Sequence, residues 1–384
     1  MDESNRINDQ NLDAAKTYRR VIISGGGTGG HIFPAIAIAN ALSAKDPSIR
    51  ILFVGAEGRM EMEKVPKAGY KIIGLPVRGF DRKNLFRNFR VLYLLIRSIY
   101  IARIIIKRFH PDAVIGVGGY ASGPVLYAAC KKGIPTLIQE QNSYAGVTNK
   151  LLAKKVDKIC VAYDDMERFF PKEKIIITGN PVRRRLTECV VMRDQSMLFF
   201  DFHEDKPTIL VLGGSLGART INQSVLGSLE HFPSDIYLIW QTGISYYEKA
   251  KQAVLDKQLH HQIKVFQFIE RVDLAYTAAD LVISRAGAST ISELCIKGKP
   301  SILVPSPNVA EDHQTKNAMA LVKKEAAIMI PDDQAVKKLM DTAISTVRNP
   351  QMLEPLSDNI RELARFNAAR KIADIVIQLM EDKQ

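Results

Sequence analysis

Cysteine is scarce in this chain: Cys130, Cys160, Cys189 and Cys295 are scattered through 384 residues, with no C-x-x-C pair and no metal-ligand spacing. That excludes a disulfide framework and a zinc module, and predicts small buried thiols in a reducing compartment. No Asp-x-Asp stands at the end of an apolar run, so the sequence predicts no obligatory metal and no other cofactor. Met1 to Thr17 is polar without an apolar core, which reads as a loose tail and not as a secretory signal. The richest apolar stretch, Asn88 to Arg108, is broken by Arg97 and Arg103. It fails as a membrane span, which asks for about twenty residues with few charges. Short repeats, low-complexity tracts and nucleic-acid reading modules are missing too, so nucleic acid is not an expected partner.

Acid is lacking on one side only. Residues 1–183 hold 29 Lys and Arg against 16 Asp and Glu, a net of +13, while residues 184–384 hold 24 against 25, a net of −1. The whole excess of +12 therefore lies in the first half. Between residues 78 and 108 there are nine basic side chains and one acid, Asp81. Such a field attracts phosphates, whether on nucleic acid, a lipid surface or a diphosphate substrate. In the segment from Gly79 to Phe89 aromatic and aliphatic residues alternate with these bases, a composition suited to an anionic phospholipid headgroup layer. The helix that follows reads as a crossover packed on a sheet, its arginines reaching outward.

What is present in quantity is alternation. Thirteen short β-rich runs, beginning at Arg20–Ser24 and resuming at Thr208–Leu212, are separated by helical patterns starting near Pro34, Arg219, Thr290 and Gln314. This predicts an α/β fold of parallel sheets covered by helices, with ligands at the carboxyl ends of strands. Because the pattern restarts at Thr208, two doubly wound domains are expected. The boundary falls at Gly179-Asn180-Pro181-Val182-Arg183, giving 1–183 and 184–364. From Leu356 to Met380 the spacing is that of one terminal helix, able to pack back across the junction.

Three apolar runs end in glycine: Ser24 to His31, Gly116 to Tyr120, and Gly213 to Ala218. The usual visitor at such a turn is a phosphate, met by free amides and a positive helix end. Gly25-x-Gly27-x-x-Gly30 alone is a weak dinucleotide fingerprint, and its acid would be Glu57, slightly beyond the second strand. His31 adds something that loop does not need: at a helix start an imidazole is kept neutral, as a general base requires. The plainer reading of His31 is a helix cap. Thr290-x-x-Glu293 fits a capping box, or a carboxylate for a ribose diol. Glu140-Gln141-Asn142 and Glu311-Asp312-His313-Gln314 occupy equivalent loop edges and suit sugar hydroxyls.

Six motifs in order then give a specific likeness. They are Gly-Gly-Thr-Gly-Gly-His at 26–31, Gly-Gly-Tyr-x-Ser-Gly-Pro at 118–124, Glu-Gln-Asn at 140–142, Gly-Asn-Pro-Val-Arg at 179–183, Gly-Gly-Ser-x-Gly-Ala at 213–218, and Arg-x-Gly-Ala-x-Thr-x-x-Glu at 285–293. From about residue 20 onward the chain resembles the MurG transferases, which add N-acetylglucosamine to lipid I to make lipid II. The resemblance implies a GT-B fold: two Rossmann-like domains facing a central cleft, with the last helix, about 365–384, packing back on the first. It implies UDP-N-acetylglucosamine as donor, lipid I as acceptor, and a peripheral place on the cytoplasmic face of the inner membrane. Donor contacts carry over to Thr28, Gly29, Gly30, Asn142, Arg183, Ser215, Ile269, Ala288, Thr290, Glu293 and Gln314, with Ile269 acting through its backbone. Gly118, Gly119 and Tyr120 would hold the acceptor diphosphate. His31 is the first candidate for the base and Glu140 the second. One departure is Gln139, where many relatives have histidine. Competing readings are a UDP-N-acetylglucosamine 2-epimerase, a diacylglycerol glycosyltransferase, and a basic nucleic-acid-binding protein.

Overall fold

The computed structural model describes residues 18–79, 87–188, 191–214 and 217–383. Cys189, Ser215 and most of the basic aromatic segment, residues 80–86, lie outside them. The first sheet has seven strands: β1 (Arg20–Ser24), β2 (Arg50–Ala56), β3 (Lys71–Leu75), β4 (Ala113–Gly116), β5 (Thr136–Glu140), β6 (Lys158–Val161) and β7 (Ile175–Ile177). The second has six: β8 (Thr208–Leu212), β9 (Tyr237–Gln241), β10 (Ile263–Phe266), β11 (Leu281–Ser284), β12 (Ser301–Leu303) and β13 (Ile328–Met329). Their orders are β3-β2-β1-β4-β5-β6-β7 and β10-β9-β8-β11-β12-β13. The pairings are parallel, as at β1 with β2 and β4, and at β8 with β9 and β11. Both sheets are doubly wound, as the alternation requires.

Central strands are apolar throughout because helices cover both faces: Val21, Ile22 and Ile23 are fully buried, as are Ile209, Leu210 and Val211. Strand order reverses between β1 and β4 in one sheet and between β8 and β11 in the other. Register makes the exits level. Ser24 lies beside Gly116, and Ser284 beside Leu212. The first two glycine turns therefore leave the first sheet side by side at its switch point. The third leaves the second sheet beside the Arg285–Gly287 turn.

Three local expectations change. The helix after β1 starts at Gly29, not near Pro34, and runs to Lys45 with Pro34 inside it. Thr290 is the third residue of helix Ala288–Lys297, whose N-cap is Gly287, so Thr290 and Glu293 form no capping box. The tail is two helices, Pro350–Glu362 and Ala368–Glu381. Asn367 breaks them with a left-handed φ of 61°. The break is where the chain crosses: Ile360 packs in the second sheet's core, while Ile372, Ala373 and Val376 pack with Val21, Ile23 and Ile38 of the first.

Helix Arg87–Phe109 also differs from a buried crossover. Val91, Ala102, Ile105 and Ile106 face inward, but Phe89, Leu92, Tyr93, Ile96 and Tyr100 are 50–73% exposed. Arg90, Arg97, Arg103, Lys107 and Arg108 are exposed around them. The outward set recurs at i, i+3, i+4, i+7 and i+11, a signal that was legible in the sequence. No helix among the described residues is long and apolar enough to cross a membrane.

Candidate active site

At the first sheet's switch point the two glycine turns interlock. A Cβ on Gly119 would collide with the Gly26 carbonyl, and one on Gly118 would stand 2.7–2.8 Å from Cδ2 and Nε2 of His31. Gly118 also has a φ of +89°, so only glycine lets the imidazole lie against this turn. His31 Nδ1 is 3.1 Å from the Gly26 carbonyl and 3.2 Å from Thr28 Oγ1. A carbonyl only accepts, so Nδ1 carries the proton and Nε2, toward Gly118, carries the lone pair. Burial lowers the affinity of the ring for a second proton; the charges of Glu140 and Glu61 and the Gly26 bond work against that, and His313 works with it. His31 is therefore a helix-start imidazole held in one tautomer, not a cap. Thr28 is the N-cap residue and makes no side-chain cap bond, which leaves the first amides at Gly29 and Gly30 uncapped.

Glu140 is buried and fully engaged. Oε1 accepts Asn142 N–H at 3.1 Å and its Nδ2 at 3.3 Å; Oε2 accepts Gly146 N–H at 3.0 Å and Asn149 Nδ2 at 2.8 Å. Four donors fix the loop from Glu140 to Asn149 and place Asn142 at its edge. Asn317, fully buried on helix His313–Val322 of the second sheet's half, then reaches across. Its Oδ1 accepts Ser143 N–H and Oγ at 2.9 and 3.0 Å, and its Nδ2 donates to Asn142 Oδ1 at 3.1 Å. A second tie runs through buried amides: Gln141 Nε2 donates to Val117 O at 2.8 Å and to Gln139 Oε1, and Gln139 Nε2 donates to Asn180 Oδ1 at 2.9 Å. Asn180 Nδ2 in turn donates to Ser292 Oγ at 3.0 Å. Gln139 is thus a structural link, and Asn317 a residue the sequence reading missed.

At the second switch point, helix Ala288–Lys297 begins with no acid in its first turn, and the Ser289 hydroxyl is buried there without a partner. An uncapped start and an unsatisfied donor form a cradle for an anionic or hydroxylated ligand. One turn on, Glu293 takes Arg183 Nε at 3.3 Å on Oε1 and Tyr276 O–H at 3.1 Å on Oε2. Burial pushes this carboxyl up, while Arg183 and Tyr276 hold it down. Arg183, 41% exposed, stands where the chain passes between the halves. Gln314 Oε1 accepts Ser306 N–H at 2.8 Å, fixing the loop after β12. The Ile269 amide is given to Gln241 Oε1 at 3.0 Å. Arg285 is tied to Asp332 and the carbonyls of Val304 and Pro305, a structural role.

Tyr120, 54% exposed, packs its ring against Gly79 and carries the second turn to the surface. A separate cavity of about 660 Å³ lies in the seam, lined by Tyr163, Arg168, Cys295, Lys323 and Arg365 among others, with no glycine-turn residue. Ser143, Asn180 and Ser292 of the two ties also line it.

Residues 21–161 match the glycosyltransferase family 28 N-terminal domain and residues 208–375 the glycosyltransferase family 28 C-terminal domain. A UDP-N-acetylglucosamine–N-acetylmuramyl-(pentapeptide) pyrophosphoryl-undecaprenol N-acetylglucosamine transferase of Parabacteroides distasonis is 58% identical over 367 residues, 95% of this chain and 99% of the relative. The crystal structure of Acinetobacter baumannii MurG superposes with a TM-score of 0.76 at 29% identity, over 94% of this chain and 99% of that one. A UDP-GlcNAc 2-epimerase from Neisseria meningitidis shares only the fold, with a TM-score of 0.63 at 14% identity over 94% and 100% of the two chains. Two parallel Rossmann-like sheets, the motifs around their switch points and these likenesses agree: the chain belongs to glycosyltransferase family 28 and, within it, to the MurG transferases.

Proposed function

We propose that this chain transfers N-acetylglucosamine from UDP-N-acetylglucosamine to the C4 hydroxyl of the muramoyl sugar of lipid I, giving lipid II for peptidoglycan synthesis, with inversion at the anomeric carbon. The observation that carries the reading is the pairing of a neutral, oriented imidazole at one switch point with an uncapped helix start at the other. One suits a proton to be taken, the other a negative charge to be received.

In this reading His31 Nε2 accepts the proton of the C4 hydroxyl as its oxygen bonds to the anomeric carbon. The bond from that carbon to the diphosphate oxygen breaks, and its electrons leave with UDP. Amides at Ala288 and the Arg183 guanidinium meet the leaving charge, and Glu293 takes the ribose diol. Thr28, Gly29, Gly30, Asn142, Ile269, Thr290 and Gln314 line the donor's path, Ser215 is a further donor contact by resemblance alone, and Gly118, Gly119 and Tyr120 face the acceptor diphosphate. His31 ranks above Glu140 as base because all four hydrogen bonds to Glu140 are already made within its own loop. The domains divide near Arg183. The apolar, cationic face of helix Arg87–Phe109 docks on anionic phospholipid headgroups, holding the enzyme peripherally on the cytoplasmic face of the inner membrane.

The test is purified protein with UDP-N-acetylglucosamine and lipid I. UDP release matched by a disaccharide-bearing lipid is expected. UDP release with free sugar, or an epimerised donor without lipid product, overturns the reading.

A further inference from the structure

The acid that answers the first glycine turn is one no motif singled out. Glu61 opens helix Glu61–Lys67 and is 1% exposed. Its Oε2 accepts the Gly27 N–H at 2.9 Å and its Oε1 the Ala56 N–H at 2.9 Å. It lies so close under the turn that a Cβ on Gly26 would collide with its carboxyl, and one on Gly55 would stand 2.6 Å from its Cγ. A glycine in the turn and a glycine in β2 thus make room for one carboxylate. The Gly26 carbonyl, one residue from the amide that Glu61 holds, is the atom that fixes His31 Nδ1.

We propose that Glu61 is a resident anion of the first glycine turn. It takes the amide that such a turn ordinarily offers to a phosphate, reserves the outer edge at Thr28–Gly30 for neutral sugar hydroxyls, and anchors the carbonyl that orients His31. A diphosphate approaching this turn meets a buried negative charge with its hydrogen bonds already made, so repulsion and the loss of the Gly27 donor act together. Both diphosphates of the reaction are thereby left to the other turns. Glu61 is a specificity and positioning residue, since nothing places it against the reacting atoms. Its charge also raises the proton affinity of His31.

Inorganic pyrophosphate is the probe, with UDP present at saturation to occupy the second sheet's site. In the wild-type protein, NMR shifts of the Gly27, Gly29 and Gly30 amides should stay unmoved by pyrophosphate; movement overturns the proposal and needs no variant. In Glu61→Gln the amide end of the side chain cannot accept an N–H, so one loop donor is freed and the charge is gone. Pyrophosphate should then bind about tenfold tighter or better. The NMR titration of His31 should shift to lower pH, while Glu61→Asp keeps the wild-type behaviour of both. Equal pyrophosphate affinity in wild type and Glu61→Gln, with an unmoved His31 titration, reduces Glu61 to a structural clip. Neither readout needs turnover, so failure here stays distinct from failure of the transferase reading.

Discussion

The two switch points are built on the same plan and are filled differently. At the first, the turn's inner amide goes to a carboxylate of the chain itself, and the helix start carries an imidazole in a fixed tautomer. Both helix starts lack a side-chain cap and an acid in the first turn. What differs at the second is a buried hydroxyl without a partner, Ser289, and Arg183 of the crossing segment paired with Glu293 one turn on. In the proposed transfer the same strand-turn-helix geometry serves proton removal on one side and charge reception on the other. A fold-level rule predicts where a ligand goes; the side chain occupying the turn decides which ligand.

The most direct way to break this contrast is to remove its active half. His31→Ala should lower kcat by about 10²–10⁴, the usual worth of a positioned general base, with little change in the KM for donor. Steady-state assays with a soluble lipid I analogue check this, and near-normal turnover would sink the base assignment. At the other switch point, Glu293→Gln removes a buried carboxylate that bonds Tyr276 and Arg183. Losing a hydrogen bond to a charged group is worth about 1.5–3 kcal/mol, so donor KM should rise roughly tenfold or more while acceptor KM holds. If both constants move together, Glu293 acts on the fold and not on the donor.

Much of this contrast was legible beforehand. Apolar runs before glycine located the strands around both switch points, because parallel strands buried on two faces leave little freedom of composition. His31 and Glu293 could be singled out because each stands beside a glycine turn, whereas Arg183 came only through the resemblance. Glu61 and Asn317 could not. Each acts on a partner distant in sequence, Gly27 and Ser143 respectively, and no local pattern encodes such a meeting. Charge suggested docking by residues 80–108, but the exposed apolar face of Arg87–Phe109 went unread because its apolar richness suggested a buried crossover, although its spacing gave a second face.

That second face offers a further break in the comparison, since only the first half is basic. Tyr93→Asp with Ile96→Asp should abolish most cosedimentation with anionic liposomes. Burying each such side chain is worth about 1.5–3 kcal/mol and the new acids repel the surface. Turnover of the soluble acceptor analogue should persist. Retained liposome binding would move the docking surface elsewhere.

Smaller effects test how the halves are tied. Asn317→Ala leaves the Ser143 N–H without its acceptor and frees Asn142, at a cost of about 1–3 kcal/mol. Thermal unfolding should shift down, and donor KM should rise several-fold through Asn142. Asn317→Asp keeps the acceptor for Ser143 but cannot donate to Asn142 Oδ1. It should recover stability more than KM, whereas equal recovery of both would mean that the tie is structural alone.

The smallest effect is in pH. Burial lowers the His31 proton affinity, so the imidazole stays neutral, and able to accept a proton, as pH falls past its ordinary value of 6.5. The acid limb of kcat/KM should therefore lie below that value, activity being lost only as pH drops through the lowered one. Across the cleft His313 contributes to the lowering, and Glu140 and Glu61 oppose it. Removing the opposing histidine by His313→Gln should move the limb upward by a fraction of a unit, opposite in sign to the shift expected for Glu61→Gln. Two substitutions on different halves that move one limb in opposite directions would locate the titrating group between them; a limb indifferent to both would mean that some group other than His31 governs it.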